Sequence, residues 1–360
     1  MSEPAPSKIK ETEKEVFIEG IPRMRFGEGM DCSFIRSVQL ALGAIGEPHS
    51  YDFLMGISGA CFRIHFHPDW CPSSGDVTAG FDVSRPLFRH LGYGAEMVAI
   101  DDNKFTDIRS FYGRIVAQID RGIPVIAINL KVCPEWGIIT GYLKERPGLL
   151  CRTFFDEADA YSRANRAPWL SLFLNGQQEP QVPRGESPER SLQQAADQED
   201  QGLQRSLQQA IHLADTDQFG EYASGFSAYE TWIGELEDLD GISDRKRFGE
   251  IIGVNRMLLN LLCDARRSAY RFLGGIGIRD QIPRGGEIAD RYDALGTLLE
   301  EAIANRQPHA GEHPAKWSGA DAGIWSGNIL ERQIALLTEV MELEREAIGL
   351  IRLAVPDIYS

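Results

Sequence analysis

The sequence predicts an α+β domain over residues 14–160, followed by a mostly helical domain over residues 206–355. Three observations carry that expectation. The first half has one early amphipathic helix and then a group of short apolar runs with strand character, not a regular alternation of strand and helix. Residues 174–205 turn polar. Beyond residue 206 the apolar residues recur at helical spacing in four separate stretches, enough for a bundle.

Residues 16–27 (VFIEGIPRMRFG) read as a strand and a turn. Cys32 then opens a helix whose Ile35, Val38, Leu42 and Ile45 share one face, with Gly43 and Gly46 near its end and Asp31 placed to cap it. Tyr51–Gly56 is a shorter helical segment. CFRIHF at 61–66 alternates like a strand, with Phe62, Ile64 and Phe66 on one side. A helix follows over Ser84–Leu91, then a strand over Ala95–Ile100 and a helix over 105–121 stopped by Gly122. VIAINL is a continuous apolar run of the kind buried on both faces of a sheet. Trp136–Tyr142 and Leu149–Phe155 flank the turn-rich KERPG and read as a hairpin.

The segment 174–205 is rich in Gln, Glu, Pro and Ser and poor in large apolar residues, so it is expected to be a surface insertion or linker with partial helix. SLQQA occurs at 191–195 and again at 206–210, too little repetition for a solenoid. Helical stripes follow over 228–236, 247–272, 287–305 and 329–353, the last stopped by Pro356.

Composition narrows the function classes. The chain has 360 residues, 43% of them apolar and 25% charged, as an ordinary globular protein has. Its formal net charge of −16 repels phosphate backbones, so nucleic acid is not an expected partner. The polar start MSEPAPSKIKETEKE lacks the apolar core of a signal peptide, and stretches such as Met257–Cys263 are too short to span a bilayer. No membrane partner is expected. Cysteines at 32, 61, 71, 133, 151 and 263 form no CxxC pair, so free thiols in a reducing cytoplasm are the expectation.

Cys32 is the sharpest chemical candidate. A thiol in the first turn of a helix sits where backbone N–H groups and the helix dipole favour the thiolate, the reactive form in acyl transfer. Asp31 opposes that ionisation, and the plain alternative is a cysteine buried at a helix start. Cys61, His65, His67 and Cys71 form a second cluster, but their spacing matches no compact zinc motif and Pro68 and Pro72 interrupt the run. No metal and no cofactor are expected. The Gly274–Gly277 stretch follows a helix and reads as a helix stop, not a phosphate loop. Arg266-Arg267 and Arg245-Lys246-Arg247 read as solvated helix edges, Trp232, Trp317 and Trp325 as packing anchors, and His309 and His313 as loop surface.

The run GMDCSFIRSVQLALGAIG, the segment SGACFRI, and then GIPVIAINL, EWGIITGY and RTFFDE together resemble the papain-like superfamily over about residues 16–160. Within it, the chain is most similar to C39 peptidase-like domains and the N-terminal domain of butirosin biosynthesis protein H. The resemblance implies Cys32 as nucleophile, Gly141-Tyr142 as the Gly-Tyr pair of the strand that begins with the family's His, and Asp156 as the acidic third member. At the place of the His this chain reads Glu135-Trp136, and residues 25–31 (RFGEGMD) lack the family's upstream Gln. Glu135 is one candidate replacement base, and His65 or His67 another. Trp136 and Tyr142 are candidate substrate-binding residues.

The expected function is therefore acyl transfer or amide cleavage through Cys32, on a small-molecule, acyl or peptide substrate, with a carrier protein as the partner the resemblance implies. The rival is a catalytically inactive papain-like domain that binds a small molecule, a peptide or a protein. A third reading is a helical scaffold that forms a homo-oligomer through Ile329–Leu353, with Leu337 and Met341 on the contact face.

Overall fold

The structure, a computed structural model, describes residues 8–100, 108–177, 188–275, 282–304 and 327–355. In chain order the first elements are β1 (Ile9–Glu11), β2 (Glu15–Ile18), α1 (Ser33–Ala44), α2 (Tyr51–Ile57), β3 (His65–Phe66), α3 (Ser84–Leu91), β4 (Tyr93–Ala99) and α4 (Ile108–Ile119). Strands β5 (Val125–Ile128), β6 (Trp136–Leu143), β7 (Leu149–Arg152), β8 (Ser162–Arg163) and β9 (Leu170–Gln177) follow. The rest comprises α5 (Pro188–Asp215), β10 (Gln218–Phe219), β11 (Tyr222–Ser224), α6 (Gly225–Glu237), α7 (Arg245–Gly275), α8 (Gly285–Ala304) and α9 (Gly327–Ala354). The fold is thus mixed α and β.

The chain divides into two units, residues 1–51 with 91–178 and residues 52–90 with 179–360. This partition differs from the one expected, because residues 52–90 leave the α+β half. The reason is pairing. β3 is too short to stand alone and runs antiparallel to β11, with His65 opposite Ser224.

The first unit is an antiparallel sheet in the order β1-β2-β6-β5-β9-β4, with β7 on β6 and β8 on β7. All four residues of β5 are buried, as the continuous apolar run predicts for a strand covered on both faces. Helices α1 and α4 both pack on β5 and β6. Along β6 a register shift falls between Ile139 and Gly141, where β7 pairs on one edge and β2 on the other. A Cβ at Gly141 would lie 2.4 Å from the Val16 carbonyl oxygen, so only glycine lets β2 approach here.

The second unit packs α7 on α8, α8 on α9, and α6 on α9, beside the small sheet β10-β11-β3. The expected stripes over 228–236, 247–272, 287–305 and 329–353 are all helical wherever they are described. Phe66 stacks on Trp232 at 6.0 Å. The Trp232 indole N–H donates to Asn255 Oδ1 (2.9 Å), and Asn255 and Gln333 exchange amide hydrogen bonds at 3.1 and 2.6 Å. Trp317, Trp325, His309 and His313 lie outside the described residues.

Of the polar segment, β9 extends to Gln177 and α5 begins at Pro188, and further along α5 Leu203, Leu207, Ala210 and Leu213 are buried at helical spacing. Three further expectations need correction. CFRIHF is not one strand, because left-handed Gly59 starts a 3-10 turn over Ala60–Phe62 and only His65–Phe66 pairs as a strand. Arg266 is no solvated edge but is fully buried. Leu337 and Met341 point into the unit's own core at 0% and 9% exposure, so they offer no free surface to a second copy. Among the described residues no helix is long and apolar enough to cross a membrane.

Candidate functional site

Cys32 lies where α1 begins. The turn before it is tight, with Gly27 and Gly29 left-handed at φ 83° and 75°. Asp31 does not cap the helix. Its Oδ1 accepts a hydrogen bond from Gly27 N–H at 2.6 Å and closes this turn instead. The N-cap residue is Cys32 itself, extended at φ −71° and ψ 102°, and its carbonyl accepts the first helical bond from Arg36 N–H at 2.9 Å. No acidic residue occupies the first turn of α1, so the helix dipole there favours a thiolate, against the buried Asp31 carboxylate that immediately precedes the cysteine. The cysteine is 7% exposed.

The Cys32 amide is engaged. Its N–H donates to the Tyr51 hydroxyl at 2.9 Å, and Tyr51 is itself buried. Sequence reasoning missed Tyr51, because the contact depends on how the chain turns between α1 and α2 and no local pattern marks it. In acyl transfer the nucleophile's own N–H is a natural donor to the developing oxyanion. Here a side chain already holds that donor.

The structure brings the start of β6 close to α1, as Phe34 meets Trp136 edge to face with ring centroids 5.0 Å apart. Trp136 is 1% exposed and serves as core, which leaves it no surface for substrate. Glu135 stands one residue earlier, half-buried, with its carbonyl accepting from Asn129 N–H at 3.1 Å. Tyr142 lies six residues beyond Trp136, about 20 Å away along an extended strand. Its hydroxyl donates to Asp120 Oδ1 at 2.9 Å. Burial and that neighbouring carboxylate push its pKa up to about 12. Tyr142 therefore shares no site with the start of β6.

Asp156 is buried and committed to a local knot. Its Oδ2 accepts from Arg152 Nη1 at 3.2 Å. Arg152 also donates to the carbonyls of Ile21 (3.2 Å) and Ala160 (3.1 Å) and stacks over the Tyr161 ring at 4.3 Å. Burial pushes the Asp156 carboxyl up, while Ser162 and Arg152 pull it back. The group orients an arginine, not an imidazole.

Only one histidine belongs to this unit, His49 after α1, and burial lowers its pKa against the pull of Glu47. His65 and His67 belong to the other unit. There His65 Nε2 lies 3.4 Å from the Ser73 carbonyl, and His67 Nδ1 accepts from Asp69 N–H at 3.1 Å. The Ser73 hydroxyl donates to Cys71 Sγ at 2.8 Å. Among the described residues no group of three His, Cys, Asp or Glu side chains is arranged to hold a metal ion.

Among the described residues of the first unit, two clefts stand out. One, of about 820 Å³, has its charges paired in ion pairs such as Arg25–Glu28 (3.2 Å) and Arg163–Glu15 (3.3 Å). The other, of about 600 Å³, is walled by Phe111, Tyr112, Ile115, Leu149 and Trp169. Tyr112 is fixed in it by Gly148, whose N–H donates to the hydroxyl and whose carbonyl accepts from it, both at 3.0 Å. Trp169 is 53% exposed at its side. Scanned against protein-family models the chain has no match, and no curated protein matches it.

Proposed function

We propose that the first unit is a papain-like domain that binds a small molecule or peptide and does not carry out acyl transfer. One observation carries this reading: the Cys32 N–H, the donor an oxyanion would need, is bonded to the Tyr51 hydroxyl at 2.9 Å. Two others support it. Asp156 is bound to Arg152, and the strand that would begin with a catalytic His begins after Glu135 with a buried Trp136. The cleft walled by Phe111, Tyr112 and Trp169 is the binding place, since apolar and aromatic walls with few polar groups are what small-molecule sites share.

A second reading, acyl transfer or amide cleavage through Cys32, is favoured by the cysteine's N-cap position on α1 with no acid in the first turn. The pH dependence of alkylation by iodoacetamide separates the two, with Cys32→Ser as control. Cys133 and Cys151 form a quiet background, because burial pushes both thiols up to about 12. The binding reading expects no Cys32-specific reaction in the native protein. A Cys32 rate that levels off well below the free-thiol midpoint of about 8.5 would establish a stabilised thiolate and sink it.

A further inference from the structure

Helix α3 places Arg85 and Arg89 one turn apart, and α5 places Arg205 and His212 two turns apart. All four line a single cleft of about 770 Å³ in the second unit. Its apolar part is aromatic: Phe81 and Phe219 have ring centroids 5.3 Å apart, and the His212 ring lies 6.1 Å from Phe219. The helices meet closely at one side of it. A Cβ at Gly202 would fall 1.9 Å from the His90 ring, so a glycine on α5 is what lets that ring in.

Elsewhere in the unit arginines are paired with carboxylates. Arg267 pairs with Asp293 at 2.7 Å, Arg284 with Glu287 at 2.8 Å, and Arg291 with Glu346 at 2.7 Å. Among the described residues Arg85, Arg89 and Arg205 have no carboxylate partner, in a chain whose net charge is −16. Among the described residues the wall holds one acid, Asp82, which is turned to the start of α3, where its Oδ1 accepts from Ser84 N–H at 3.0 Å and from the Ser84 hydroxyl. Like charges one helical turn apart repel, so Arg85 and Arg89 disfavour each other unless an anion lies between them. A guanidinium keeps its charge at any physiological pH, and its planar fork matches phosphate oxygens. One carboxylate would occupy one fork, whereas three guanidiniums lining one cleft suit an anion with several charged oxygens.

We propose that this cleft binds a small molecule bearing a phosphate or pyrophosphate group. Arg85, Arg89 and Arg205 hold the phosphate oxygens, and Phe81 and Phe219 receive an apolar or ring portion. The proposal concerns the second unit and holds whether or not Cys32 is a nucleophile.

The test is isothermal titration of the full chain with inorganic pyrophosphate and, separately, with ADP. Arg85, Arg89 and Arg205 are exposed, so Arg89→Gln and Arg205→Gln are expected to fold, which far-UV circular dichroism and the ligand-free Tm verify. Both probes are expected to bind, each single substitution to weaken binding about tenfold, and the double substitution to abolish it. Arg291→Gln, away from the cleft, is the control and leaves binding unchanged. Absence of binding by both probes at millimolar concentration overturns the proposal. So does binding that survives the double substitution, or that Arg291→Gln weakens equally.

Discussion

Arg266 and Glu344 form a buried ion pair, with Arg266 Nη2 2.7 Å from Glu344 Oε1 and the two side chains 0% and 4% exposed. The pair is satisfied on all sides. Arg266 also donates to the carbonyls of Cys61 (2.9 Å) and Arg63 (3.1 Å), and Tyr229 gives its hydroxyl proton to Glu344. It joins α6, α7 and α9 to the segment around residues 60–63.

Removing one partner leaves the other charge buried without its counter-charge. Glu344→Ala is expected to cost about 3–5 kcal/mol, while Arg266→Met with Glu344→Leu is expected to cost less than either single change. Urea unfolding of the three variants measures this. A double variant weaker than both singles would show that the pair is a net stabiliser.

Acid sensitivity should be traceable to His65. Burial first, and the Arg63 cation next, hold its pKa well below the ordinary value. The unfolded chain takes up a proton near pH 6.5 that the folded chain refuses. Stability present above that pH is therefore lost as the pH falls from 6.5 toward the folded pKa, by up to about 1.4 kcal/mol per pH unit. His65→Gln is expected to flatten this part of the profile, read from urea midpoints between pH 8 and pH 5. Parallel profiles for the two proteins would refute the assignment.

Gly141 and Gly113 make a contrasting pair. A Cβ at Gly141 would collide with the Val16 carbonyl and Phe17, so Gly141→Ala should destabilise by about 1–3 kcal/mol. A Cβ at Gly113 on α4 meets nothing within 4 Å, so Gly113→Ala should stabilise by about 0.5–1 kcal/mol. Thermal melts of both variants are the check, and equal shifts would contradict the close approach of β2 to β6.

Much of the fold was legible because it is local. The periodicity after Cys32 gives α1, VIAINL gives β5, and the runs around KERPG give β6 and β7. What the sequence did not reveal depends on partners distant in the chain. β9 (LSLFLNGQ) is set by pairing with β4 and β5, and β3 by pairing with β11. Arg266 looked solvated because nothing near it in sequence announces Glu344. The closing Leu203–Leu213 turns of α5 were visible in outline, but the polar composition before them masked the helix. At the site, the position of Cys32 at a helix start was readable. The Tyr51 hydroxyl on its amide and the Arg152 that occupies Asp156 were not, since both depend on how separate segments meet.

The division of the second unit into residues 52–90 and 179–360 has a consequence during synthesis. The Ser206 hydroxyl that bonds the Gly56 carbonyl lies 150 residues downstream of it. At translation rates of about 5–20 residues per second, the early segment leaves the ribosome roughly 8–30 s before its partners exist. Throughout that interval Phe62, Phe66 and the edge of β3 are uncovered, although the finished protein buries both rings. The nascent chain is therefore a substrate for chaperones and proteases at a segment that the completed protein hides from them.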